Sequence, residues 1–188
     1  MESYKLQSFK TMIQRGEFVI LDTETTGVDH GSEICQIAIV DSQGSILIDT
    51  LIKPIGRIPS SATAIHGITN AMVTSAPGWD KVVTGLVPLL DGRDVIAYNA
   101  LFDRKMMHKS SEAAGLPKTD WKQFSRWWCA MEAFAEVYGK ADRYTGKFRW
   151  QKLSTAAQYY NIPVVAEHTA LDDCRTTLAV ARAMAGLV

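Results

Sequence analysis

The run Glu17-Phe18-Val19-Ile20-Leu21 passes without a break into Asp22-Thr23-Glu24-Thr25-Thr26-Gly27, and this junction constrains the fold more than any other feature of the chain. A short apolar segment rich in β-branched residues, bounded upstream by Gly16, predicts a buried strand. Strand side chains alternate between faces, so Asp22 and Glu24 share one side at the strand end. Two carboxylates so placed can share a cation, and magnesium and manganese favour carboxylate and water oxygens. Taken alone, Asp-x-Glu followed by Thr-Gly also reads as a solvated turn.

Two further constellations bear on that choice. Asp94-Val95-Ile96-Ala97-Tyr98 reads as another strand and leads into Asn99-Ala100-Leu101-Phe102-Asp103-Arg104, where a helical pattern begins. Asp103 is there either an early-helix acid complementing the dipole or a ligand. Near the C-terminus, His168 precedes Asp173 just where an Ala/Leu-rich helix starts. Thr169-Ala170-Leu171-Asp172 matches a capping box, with Thr169 as N-cap and Asp172 as the acid three residues on. Capping occupies Asp172 and leaves Asp173 to point elsewhere. His168 falls in the loop before the helix, where an imidazole can move towards a substrate.

Asp22-x-Glu24 with Thr25-Thr26-Gly27 after it, Asn99-Ala100-x-Phe102-Asp103, and His168-x-Ala170-x-x-Asp173 resemble, in order, the three exonuclease motifs of the histidine-bearing (DEDDh, DnaQ-like) branch of the DEDD superfamily. The nearest in look are exonuclease X and the proofreading subunit of DNA polymerase III. Ala64-Ile65-His66-Gly67-Ile68-Thr69 is similar to the segment that packs against the terminal nucleotide in polymerase-associated members. The resemblance covers residues 17 to 186 and implies a ribonuclease H-like fold, a mixed α/β architecture with a central mixed five-stranded sheet flanked by helices. It implies that Asp22, Glu24, Asp103 and Asp173 bind two divalent ions, Mg²⁺ or Mn²⁺, and that His168 is the general base. Two ions roughly 3.5–4 Å apart can stabilise both the attacking and the leaving oxygen of an in-line displacement.

The implied activity is a 3′→5′ exonuclease that releases nucleoside 5′-monophosphates from single-stranded or frayed DNA ends, with RNA left open. The alternatives are a catalytically silent nucleic-acid-binding or protein-interaction module on the same fold, and an oligoribonuclease-like enzyme on short RNA. In the family, Thr25, Thr26 and Gly27 lie along the last nucleotide, and Ile65 and His66 wedge or stack against its base. Read without the resemblance, these are a plain turn and a helix-end histidine. Phe102 is core or contact, and Asn99 either hydrogen-bonds to substrate or merely ends the strand.

At 188 residues and 47% hydrophobic content the chain has enough length for one domain with a proper core. The expectation is a leading helix over 1–16 and an exonuclease core over 17–186. The three cysteines, Cys35, Cys129 and Cys174, are widely spaced and suggest neither a disulfide framework nor a zinc site. With no apolar leader and no segment near roughly 18 uninterrupted apolar residues, no membrane partner is expected and a reducing cytoplasm is the default. The 20 basic residues balance 20 acidic ones, against a protein that coats nucleic acid by bulk charge. Residues 140–152 nevertheless interleave five basic residues with three aromatics and one acid, which suits phosphate contact and stacking or a solvated loop. Lys147 and Arg149 are the substrate-contact candidates there. Expected partners are single-stranded or 3′-ended DNA, with a polymerase or a repair complex as a further possibility.

Periodicity predicts helices over 4–15, 79–90, 100–114, 130–138, 152–160 and 170–186, with short helical pieces between Pro54 and Pro77. Strands are predicted near 17–22, 33–41, 45–52, 94–98 and 127–129, the second and third joined by a hairpin turn at Ser42-Gln43-Gly44. A meander followed by strand–helix alternation is the pattern of an α+β or mixed α/β sheet.

Overall fold

The computed structural model describes residues 2–164 and 169–187. Among these residues the chain forms, in order, α1 (Tyr4–Arg15), β1 (Phe18–Thr25), β2 (Ile34–Asp41), β3 (Ile46–Leu51), α2 (Ser60–His66), α3 (Trp79–Leu90), β4 (Asp94–Ala97), α4 (Ala100–Ala113), α5 (Trp121–Phe124), β5 (Arg126–Cys129), α6 (Ala130–Tyr138), α7 (Leu153–Tyr159) and α8 (Ala170–Met184). The strands make one mixed sheet in the order β3-β2-β1-β4-β5. β2 runs antiparallel to both β1 and β3, whereas β4 is parallel to β1 and β5 is parallel to β4. This is the mixed five-stranded, ribonuclease H-like arrangement expected, with helices on both faces.

Alternation along β1 divides its side chains between two cores. Phe18 and Ile20 join Ala38, Val40 and Ile96 under α1, α6, α7 and α8. Val19 and Leu21 join Ile37, Ile39 and Val95 under α3 and α4. A strand apolar on both sides can only be central, which places the carboxylates at its end between two helical layers. The leading helix docks on this same sheet, with Leu6, Phe9, Met12 and Ile13 buried in the first core. It starts on an N-cap bond from Leu6 N–H to the Ser3 hydroxyl and stops at Gly16, whose φ of 74° suits a residue without Cβ.

The sequence reading is amended in two places. β1 continues to Thr25 rather than ending near 22, so Glu24 lies within the strand opposite Gln36, and the register shifts only after it. A short helix, α5, precedes β5; Asp120 caps it through Lys122 N–H. Its Trp121 is fully buried in the second core, so tertiary burial stabilises a turn too short to show periodicity.

α8 lies across β1 and β2 through a line of small residues. Ala170, Cys174, Thr177 and Ala181 are all buried, at the spacing that repeats on one helical face. The Cys174 sulfur is 3.3 Å from the Ala38 carbonyl oxygen and 3.7 Å from that of Ile20. These contacts seat Cys174 directly against the two strands. At the far edge Asp94 accepts from Arg126 Nε and Nη2 and from Trp128 Nε1, all at 2.8 Å, which pins β5 to β4. No helix among the described residues is long and apolar enough to cross a membrane.

The close approach of α8 makes a testable demand. Cys174→Leu overpacks the helix–sheet contact and is expected to cost about 1–3 kcal/mol. At roughly 2–4 °C per kcal/mol for a chain of this size, a drop of several degrees in the thermal midpoint is expected by calorimetry.

Candidate active site

One strand and two helices bring acids together. β1 projects Asp22 and Glu24 from its carboxyl end on the side covered by α8, as its period of two requires. α8 answers from its first turn. Thr169 is the N-cap: its hydroxyl oxygen accepts from Asp172 N–H at 3.2 Å and donates to the Asp172 carboxylate at 2.8 Å. Asp172 also lies 3.6 Å from Arg175. It is thereby held in the cap, and the next residue, Asp173, turns towards β1. Carboxylate oxygens of Asp22, Glu24 and Asp173 all lie within 4.8 Å of one another.

Asp103 comes from the first turn of α4, which follows β4 directly because Asn99 ends the strand and accepts from Phe102 and Asp103 N–H groups through its carbonyl. Its side chain is buried and accepts a 2.9 Å hydrogen bond from the Thr23 hydroxyl. Thr23 was not among the residues singled out from the sequence. The available signal was its place between Asp22 and Glu24, which turns it to the opposite face, towards α4. His168 lies outside the described residues.

The four acids cannot all stay ionised unaided. Burial, then repulsion from Asp103, Asp173 and Glu24, raises Asp22 well above the usual carboxylate range. Glu24 is pushed up to about 8 by burial and by repulsion from Asp173 and Asp103. Burial pushes Asp103 up to about 7 against the hydrogen bond from Thr23, which acts the other way. Converging, desolvated carboxylates of this kind fit a hard divalent cation, which replaces the bound protons and restores the charge.

The expected substrate contacts are placed unevenly. Ile65 is 66% exposed and lines a groove beside the site with Gln36 and Thr169. His66, expected to stack on a base, instead ends α2 with its ring buried. Its Nδ1 accepts from Ile68 N–H at 3.1 Å and its Nε2 donates to the Thr25 carbonyl at 3.2 Å. A ring enclosed in this way offers no stacking face and ties α2 to the end of β1. The Thr25 hydroxyl donates to the Gly27 carbonyl, and the Thr26 hydroxyl accepts from Glu33 N–H, so both side chains are spent closing the loop. Phe102 packs at the margin of the second core, and the Asn99 side chain makes no capping bond. Lys147 and Arg149 lie on an exposed loop closed by a bridge between Ala141 and Phe148. Its return is fixed to the end of β4 by the Tyr98 hydroxyl donating to the Gln151 carbonyl at 2.9 Å.

Comparison with known proteins gives the family. The family profile described as Exonuclease matches residues 19–181. The chain belongs to the exonuclease family. An uncharacterised exonuclease of Escherichia phage 186 is 38% identical over 170 residues, which cover 89% of this chain and 87% of the phage protein. A DNA polymerase III subunit epsilon-like protein of Rhodobacter capsulatus is 33% identical over 95% of this chain, which spans 25% of that protein's length. Exonuclease X, solved in complex with 5′-overhanging duplex DNA, superposes with a TM-score of 0.64 at 25% identity over 91% of this chain and 94% of its own. The chain is therefore a DnaQ-like exonuclease, a 3′→5′ hydrolase, and its acidic cluster matches the divalent-metal chemistry of such enzymes.

Two expectations follow for this exonuclease. Carboxyl groups with raised values keep protons in the folded state that the unfolded chain releases, so without metal, stability falls as pH rises from about 4 to about 8. The rise in thermal midpoint on adding Mn²⁺ or Mg²⁺ should be larger near pH 8 than near pH 5, and EDTA should abolish it. Thr23→Val removes the bond that orients Asp103 and should weaken metal affinity, read from the metal dependence of activity, roughly 10-fold or more.

Proposed function

We propose that this exonuclease removes nucleotides from the 3′ ends of single-stranded or frayed DNA as nucleoside 5′-monophosphates. The observation that carries the reading is the convergence of Asp22, Glu24 and Asp173 from β1 and α8, with Asp103 oriented beside them by Thr23. These four residues would hold two Mg²⁺ or Mn²⁺ ions. When bound, such a pair lowers the pKa of an attacking water and neutralises charge on the scissile phosphate. His168, the neighbour of the α8 cap, is assigned as the general base that takes the proton of that water at an imidazole nitrogen. A neutral imidazole is able to accept that proton. Ile65 and the Thr25–Gly27 turn are assigned as the wall against the terminal nucleotide, and Lys147 and Arg149 as outlying phosphate contacts.

DNA is favoured as substrate because a relative aligned along nearly its whole chain was solved with duplex DNA. The epsilon-like relative makes a polymerase or repair assembly the natural setting.

Digestion of 5′-labelled DNA and RNA strands with Mg²⁺, Mn²⁺ or EDTA tests this reading. A ladder shortening from the 3′ end, lost in EDTA and in Asp22→Ala and Asp173→Ala, is expected. Asp172→Ala should instead cost about 1 kcal/mol of stability through the cap and leave the ladder. His168→Ala should lower kcat by ~10²–10⁴-fold with little change in metal affinity. Absence of any metal-dependent product from folded protein would overturn the reading.

A further inference from the structure

The outer face of α4 carries charge for which the acidic site has no use. Leu101, Arg104, Lys105 and His108 repeat at helical spacing along it, and Lys118 and Lys122 reach the same groove from the segment entering α5 and from α5 itself. The groove runs on into a second depression that shares Lys105, His108 and Lys118 and adds Lys109. Arg104, Lys105, Lys118 and Lys122 form no ion pair among the described residues. Arg104 stacks over Trp127 at 5.6 Å, and Lys109 donates to the carbonyls of Val28 and Asp29. Among the described residues, the acids lining the two depressions are Asp120 and Glu112, against five lysine and arginine residues. In a chain of zero net charge this is a strong local excess.

A second observation points the same way. Nδ1 of His108, in the middle of the groove, is buried without a hydrogen-bond partner among the described residues. Burial, and after it the positive charge of Lys118, holds that ring below its ordinary pKa. A neutral imidazole among unpaired cations is the environment that an incoming anion stabilises.

We propose that this groove is a second nucleic-acid contact that holds the phosphodiester backbone beyond the nucleotides occupying the active site, with Arg104, Lys105, Lys118 and Lys122 as phosphate partners. The cations spread over two adjoining depressions instead of converging on one point, which suits a polyanion better than a small ion. The geometry also fits. At about 1.5 Å per helical residue, His108 stands roughly 7.5 Å along α4 from Asp103. That is the rise of about two nucleotides of a duplex strand, at roughly 3.4 Å each. The contact is electrostatic and so independent of base sequence. It rests on the exonuclease reading for the identity of the polyanion.

The test is the variant Lys105→Gln/Lys118→Gln/Lys122→Gln, at three exposed positions, with its thermal midpoint checked against the parent. Binding of a labelled long single strand and of a 5′-overhanging duplex is measured in EDTA at several salt concentrations. In parallel, KM and kcat are measured on the long strand, on a trinucleotide and on the p-nitrophenyl ester of thymidine 5′-phosphate. Each lost phosphate contact should reduce the slope of log K against log salt by about 0.7 for single strands and about 0.9 for duplex, so a total change of about 2–3 is expected. KM for the long strand should rise roughly tenfold or more, with the loss confined to substrates that extend past the site. An unchanged salt slope and an unchanged KM for the long strand would overturn the proposal. If the parent protein cleaves no substrate at all, the exonuclease reading fails, while the salt slopes still decide whether the groove binds nucleic acid. A slope change for duplex alone would assign the groove to the complementary strand, and one for both to the cleaved strand.

Discussion

Repulsion between buried carboxylates is the constraint around which this molecule is organised. Like charges about 4 Å apart cost about 4 kcal/mol at the effective dielectric of a protein near its surface. A domain is stable by only about 5–15 kcal/mol in total. Asp22, Glu24, Asp103 and Asp173 brought together fully ionised would therefore consume much of the stability of the fold. The cluster persists either protonated, as the raised values of Asp22, Glu24 and Asp103 indicate, or neutralised by a cation. What keeps the acids in place is packing elsewhere: β1 buried on both faces, and α8 held close by Ala170, Cys174, Thr177 and Ala181. The acids are presented by elements that cannot yield without opening a core.

That arrangement explains which parts of the site could be read from the sequence. Asp22 and Glu24 were legible because strand periodicity is strict and their strand is apolar up to the first acid. The capping box gave Asp172 a structural role, and the cap forms through Thr169 as its spacing requires, but only the spacing of the family motif chose Asp173 over its neighbour. Asp103 remained ambiguous in sequence, since an acid in the first turn of a helix also answers the helix dipole; only the hydrogen bond from Thr23 across the strand shows its orientation. Thr23 itself was not singled out, since a lone threonine between two acids carries no motif of its own. The length of β1 was underestimated because polar residues after an apolar run resemble a turn, whereas pairing with β2 continues as far as Thr25. α5 was missed because one helical turn has no period to read.

His66 illustrates a different limit. A motif gives the place of a residue along the chain but not whether its ring faces outward, and here both nitrogens are engaged. Accepting at Nδ1 and donating at Nε2 fixes the neutral tautomer, and burial lowers its pKa further from the charged form. Its contribution to the site is mechanical: it anchors the end of α2 to the Thr25 carbonyl, leaving the adjacent Ile65 turned out to solvent. The position of Ile65 beside the carboxylates therefore depends on a histidine that is itself enclosed.

The zero net charge of the chain conceals a separation of charge that has a functional logic. Under the proposed function the reacting phosphate approaches an acidic cluster that offers it no positive charge until cations are bound, so the site alone does not gather a polyanion. Lys105, Lys118 and Lys122, exposed and without an ion pair among the described residues, stand ready irrespective of metal. α4 joins the two regions in one rigid element. Successive residues on a helix are turned about 100° apart, since 3.6 residues complete a turn. Asp103 can thus face inward to the carboxylates while Arg104 begins the cationic stripe outside. Attraction of the strand and chemistry on its end are in this way set at a fixed distance by a single helix, and the two can be altered independently.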